Sequence, residues 1–144
     1  MRFVGLLSVA VVAAALAAPA CAAEVSVSDG WFRALPAGLP AGGYFTLHNG
    51  GDAAVALVGA SSSACGMVML HESVNTGGME QMKMVDNIPV PAHGVLEFKP
   101  GGFHLMCMKP GPAMVPGAKV PVVLEFTDGD KLGVNFVVKN AKGQ

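Results

Sequence analysis

Period-two alternation limits this chain more than any other feature. From residue 24 onward apolar and polar residues repeatedly exchange places one by one. No stretch carries the i, i+3, i+4 spacing of a capped amphipathic helix. Successive side chains of a strand point to opposite faces, so alternation of this kind makes half-buried strands. Ten are expected: 24–28, 31–34, 44–48, 54–60, 67–72, 80–85, 94–98, 104–108, 120–126 and 132–139. The breaks carry turn chemistry, in Asn49-Gly50-Gly51-Asp52, Thr76-Gly77-Gly78, Pro91-Ala92-His93-Gly94, Pro100-Gly101-Gly102 and Asp128-Gly129-Asp130. The plainest hairpin is the last, where Val120, Val122, Leu124 and Phe126 alternate, turn, and are answered by Leu132, Val134, Phe136 and Val138. Many short strands at this spacing predict an all-β domain, a Greek-key β-sandwich or barrel. No repeat, linker or charge block divides the chain, so one domain is expected over residues 23–144.

The first residues read as an address. Arg2 precedes an unbroken apolar run, followed by the small-residue pattern Ala20-Cys21-Ala22. That is a signal peptide, expected to be cleaved before Ala23 and so to span residues 1–22. The run is short for a transmembrane anchor and lacks a charged stop-transfer flank, so no stable membrane insertion is expected after cleavage. Lipid anchoring at Cys21 is the alternative, though no Leu stands three residues before it. Export implies an oxidising compartment, where Cys65 and Cys107 are free to pair. Charged residues are 13% of the chain, the net charge is −1, and no basic run occurs. That balance excludes a disordered solvating chain and an electrostatic grip on nucleic acid. No Ser/His/Asp set or carboxylate pair is seen, and Glu72, Glu80 and Glu97 stand alone, so no enzyme is expected.

The unusual residue is methionine, nine in 144. Alternation sorts six of them onto three strand faces, two of which also carry histidine. Met67, Met69 and His71 share one face, with Val68 and Leu70 on the other. Met82 and Met84 share a face. His104, Met106 and Met108 share one, with Phe103, Leu105 and Cys107 opposite. Neutral thioether and imidazole donors without carboxylates suit Cu(I), which favours soft ligands at low coordination number. Zinc would recruit Cys or carboxylate, and calcium or magnesium would need oxygen. Packing is the plain alternative for any one of these methionines.

At these residues the chain resembles the periplasmic PCu(A)C copper chaperones. Their signature is His, ten residues, Met, twenty-one residues, His-x-Met. Here His71, Met82, His104 and Met106 stand at those spacings. Trp31-Phe32-Arg33, Gly43-Tyr44, Asn49-x-Gly51, Met82-Lys83-Met84 and 99–106 (KPGGFHLM) resemble the family's other motifs. The resemblance implies a monomeric, cupredoxin-like (immunoglobulin-like) sandwich in the periplasm. It implies one Cu(I) held by His71, Met82, His104 and Met106, with Cu(II) also conceivable. It implies transfer of that ion to other proteins, such as cytochrome c oxidase or its assembly factors.

Some residues fall outside the signature. Cys107 reads as a small buried apolar residue turned away from Met106, with a Cys65–Cys107 disulfide as the alternative. Met67, Met69, Met84 and Met108 read as packing or flanking cover, the alternative being a spare sulfur shell for handing the ion over. Met114, outside the stripes, is expected to be dispensable for binding. His48 and His93 read as solvated loop residues. Two other functions compete. An electron-transfer cupredoxin would need a Cys thiolate beside the histidines. A metal-free exported binding module would leave the four signature residues scattered.

Overall fold

The computed structural model describes residues 24–144. The expected signal segment, its cleavage site and Cys21 lie outside the described residues. Ten strands follow in chain order: β1 Val25–Arg33, β2 Ala41–Asn49, β3 Val55–Ser61, β4 Cys65–Thr76, β5 Met79–Met84, β6 Ile88–Val90, β7 Val95–Phe98, β8 Phe103–Pro110, β9 Lys119–Phe126 and β10 Lys131–Lys139. Their hydrogen-bonded order is β5-β4-β8-β2-β1-β10-β9-β3-β6, with β7 also paired to β2. The β1–β10 pair is parallel, over Trp31–Arg33 and Val137–Lys139. The expected all-β class is therefore the observed one.

The path curls on itself, so that β3 lies against β4 and both halves enclose one core. Alternation decides what enters it. Val120, Val122, Leu124 and Phe126 of β9 are buried, as are Phe136 and Val138 of β10. Phe32, Phe45, Leu47, Leu57 and Leu105 complete the centre. Phe45 stacks at 4.3 Å from Phe98 and 5.6 Å from Phe136, measured between ring centroids.

Two elements differ from expectation. The segments 24–28 and 31–34 form one strand, because the register slips between Ser28 and Trp31. Asp29 there has φ of 56°, a left-handed kink that looks like a turn in sequence but is absorbed as a bulge. The second is β6, hidden by Pro89 at its middle. Pro89 is exposed on a terminal strand of the sheet path, where a missing N–H is tolerated.

Three side chains outside the methionine stripes find definite places. Met114 is buried in the core. His48 is not a loop residue: it lies on β2, half-buried, and its Nε2 shares a 3.0 Å hydrogen bond with Ser28 Oγ on β1. His93 does sit in an exposed turn, its Nε2 2.7 Å from Asp52 Oδ1.

Asn49 closes the end of the fold. It is 2% exposed. Its amide donates toward the carbonyls of Ala53, Val90 and Pro91 at 2.9, 3.3 and 3.0 Å, and its Oδ1 accepts from Gly51 N–H at 3.1 Å. Asn49→Ala orphans several buried groups together. Chemical denaturation should show a loss of about 2–4 kcal/mol. A loss under about 0.5 kcal/mol would mean that water replaces the amide freely.

Candidate metal centre

The site begins with a turn. Gly77 and Gly78 have φ of 62° and 82°, the paired left-handed conformations of a two-residue hairpin loop that side chains resist. This turn joins β4 to β5 with Thr76 opposite Met79. From there the register runs back to Ser73 opposite Met82 and His71 opposite Met84. On its other edge β4 pairs with β8, where His71 faces His104, Met69 faces Met106 and Met67 faces Met108. Directly opposed residues point to the same side of a sheet. All eight donors therefore share the outer face of β5-β4-β8. Leu70, Leu105 and Cys107 take the core face.

The face is organised in rungs. His71 and His104 form the central one, their rings 5.6 Å apart between centroids and nearly perpendicular at 87°. Met84 extends it on β5. Met106 lies one rung to one side and Met82 one rung to the other, diagonal to His71. The four signature residues thus surround one rung. Sequence spacing passed over Met84, the direct cross-strand partner of His71. The signal for it was the same-face pair Met82 and Met84, but register was needed to choose between them.

The histidine rings are oriented as ligands. His104 Nδ1 lies 3.1 Å from the carbonyl oxygen of Gly102. A carbonyl can only accept, so Nδ1 carries the proton and donates. The lone pair of the neutral ring is then on Nε2. That Nε2 is buried and has no partner among the described residues, and the same holds for His71 Nδ1. Leaving a buried polar atom unpaired costs about 1–3 kcal/mol, and a bound cation would offset it. Burial, followed by the neighbouring His104, pushes the His71 pKa below its ordinary value. A lowered imidazole pKa keeps the ring uncharged and available to a metal at neutral pH.

Exposure divides the site in two. His104 is 4% exposed, although it lies on the outer face. Met82 and Met84 are 60% and 64% exposed, on a strand whose six residues are all open to water. The site is open to water at the β5 thioethers and closed at His104. Along the outer face β8 continues into β2, where Gly42 lies opposite Met106. A Cβ on Gly42 would come within 2.7 Å of the Tyr44 hydroxyl, so glycine lets the tyrosine lie across the sheet there. Arg33, also opposite Gly42, places its guanidinium 5.4 Å from the Trp31 ring and 5.5 Å from the Tyr44 ring.

Cys107 is not an unpaired core residue. It is buried as expected, but it is bonded to Cys65, with 5.4 Å between the Cα atoms. Alternation counted back from Met67 puts Cys65 on the outer face. The disulfide forms because β4 begins at a turn, where Cys65 N–H bonds Ser62 C=O, and its neighbour β8 kinks at Lys109, with φ of 50°. With its sulfur taken and turned to the core, Cys107 offers no thiolate for a blue-copper site. No group of three or more His, Cys, Asp or Glu gathers among the described residues, so a hard-ion or zinc cluster has no place there. Among those residues no helix is long and apolar enough to cross a membrane.

With this geometry in place, three comparisons bear on it. The family model described as "Putative lipoprotein LpqE-like" matches residues 25–138. A curated relative, "Putative lipoprotein Lxx21020" of Leifsonia xyli subsp. xyli, is 35% identical over 120 residues, which is 83% of this chain and 72% of the relative. The solution structure of apo-DR1885 from Deinococcus radiodurans is 32% identical, with a TM-score of 0.63, 97% of this chain covered and 95% of that one. Its Cu(I) form is 33% identical with a TM-score of 0.62, over 80% of this chain and 76% of that one. The copper-bound PCuAC domain from PmoF2 has a TM-score of 0.67 over 81% of this chain and 93% of that one, at 20% identity. At that identity PmoF2 supports the fold alone.

Proposed function

We propose, on the premise that the chain belongs to the LpqE-like family of PCuAC-type domains, that it is an exported copper carrier. It takes up one tightly held Cu(I) through His71, Met82, His104 and Met106 and yields it to another protein. The observation that carries this reading is the facing pair of imidazoles, each with a buried nitrogen that has no partner among the described residues, set among thioethers on one face. The likeness to DR1885, whose solved forms include one with Cu(I), supports the choice of cargo.

The residues divide the work. His104 anchors, because its Nδ1–H bond to Gly102 holds the ring and aims Nε2. His71 supplies a second neutral nitrogen. Met106 and Met82 add soft sulfur that favours the monovalent ion. Four neutral ligands leave a single positive charge to accommodate, a far smaller desolvation than for a divalent ion. The exposed β5 thioether is the ligand that an acceptor can displace first, so the ion moves by stepwise exchange.

In this reading residues 1–22 direct export to the periplasm, and residues 23–144 form the single copper-binding domain, acting as a monomer and a carrier rather than an enzyme. Cytochrome c oxidase or one of its assembly factors is the proposed acceptor, and the histidines give Cu(II) a weaker foothold. Anaerobic titration in competition with a Cu(I) chelator tests the carrier role. One tightly bound Cu(I) should exchange within seconds to minutes. No binding, or exchange that takes days, would overturn it.

A further inference from the structure

The same face carries four thioethers that the proposed site leaves unused: Met84, which faces His71 on β5, and Met67, Met69 and Met108 on the other side of the histidine rung. Register sets Met69 opposite Met106 and Met67 opposite Met108, on two consecutive rungs next to the histidines. Opposed Cβ atoms stand ~4.5–5.5 Å apart, and same-face neighbours along a strand are ~6.5–7 Å apart at the backbone. The flexible methionine side chain spans such gaps. With Met106 engaged beside His104, Met67, Met69 and Met108 remain as a triangle of sulfurs.

Packing does not account for them. Met67 is 59% exposed, and Met69 and Met108 are half-buried, whereas Met114 lies in the core. The inward side of these strands is already filled by Leu70, Leu105 and the disulfide sulfur of Cys107. The outer positions of β4 from Met67 to Ser73, and of β8 from His104 to Met108, hold no carboxylate or ammonium. A hard cation finds nothing there, and nothing there repels a soft one.

We infer that Met67, Met69 and Met108 form a second site for a soft monovalent ion, Cu(I) or Ag(I), one rung from the first. The second site rests on the carrier reading, in which Met106 belongs to the first ion. Three thioethers without imidazole hold an ion more weakly than the first site does. Lacking nitrogen, they reject Cu(II) and zinc. An ion leaving the histidines can thus move onto sulfur before it leaves the protein.

Ag(I), which is redox-inert under these conditions, is the probe, added in chloride-free buffer to the disulfide-intact protein labelled at its methionine methyl groups. The first equivalent should shift the Met82 and Met106 methyl signals. The second should shift those of Met67, Met69 and Met108. The variant carrying Met67→Leu and Met108→Leu should take up one ion and keep the first-step shifts. Leucine preserves the side-chain volume, and the spectrum itself reports folding. Saturation at one equivalent, with Met67 and Met108 unmoved under excess Ag(I), would overturn the second site and leave the carrier reading intact. A first equivalent that leaves both Met82 and Met106 unmoved would overturn the four-residue site itself.

Discussion

Replacing Met106 or Met82 by Leu should weaken Cu(I) binding about 100-fold and leave Cu(II) binding within about threefold. Groups one shell away from a metal already contribute about 10–100-fold, and a direct ligand should contribute at least as much. The asymmetry follows from softness, since thioether sulfur stabilises the monovalent ion while imidazole serves both states. His71→Ala and His104→Ala should therefore weaken both ions. They should differ in stability. His71 is half-buried, but His104 is buried and bonded to Gly102. Its loss should lower stability by about 1–3 kcal/mol, which denaturation of the apo protein would register separately. Met84→Leu is the discriminating control, because Met84 directly faces His71 while Met82 is diagonal to it. If Met84→Leu suffers the loss and Met82→Leu does not, the cross-strand partner is the ligand and the assignment of Met82 is wrong. Anaerobic Cu(I) and aerobic Cu(II) titrations of each variant decide it.

Removing the disulfide should unsettle the fold without disturbing the metal face. Cys65 and Cys107 are 42 residues apart, and closing a loop of that size stabilises by about 4 kcal/mol in the chain-entropy account. For a domain of this size the Cys65→Ala, Cys107→Ala pair should melt roughly 10–20 °C lower. Cu(I) affinity should stay within about threefold, because Cys107 points to the core while Met106 and Met108 point outward. Cys65→Ala alone, which frees the Cys107 thiol, should show no intense visible absorption on addition of Cu(II). Such a band, or a tenfold change in Cu(I) affinity, would place Cys107 at the metal.

The sequence by itself determined which of the methionines and histidines share a face and where most of the turns fall. Strand alternation is local, because it depends only on successive backbone units, so Met67, Met69 and His71 or His104, Met106 and Met108 could be grouped without knowing any neighbour. Turns such as Gly77-Gly78 are local too, since positive φ is a property of the residue. The signature spacing named His71, Met82, His104 and Met106 together. The tertiary structure alone decided how the groups meet. His71 lies against His104, and Met69 against Met106, through the pairing of β4 with β8, a contact between strands distant in the chain that no single stretch encodes. Burial of His104, its bond to Gly102 and the reach of Cys65 to Cys107 are likewise non-local, since each depends on a neighbour brought up by folding. The same reason hid the β1 bulge and the Pro89 strand: Asp29 and Pro89 carry turn-like local chemistry, and hydrogen bonds from β2 and β3 override it.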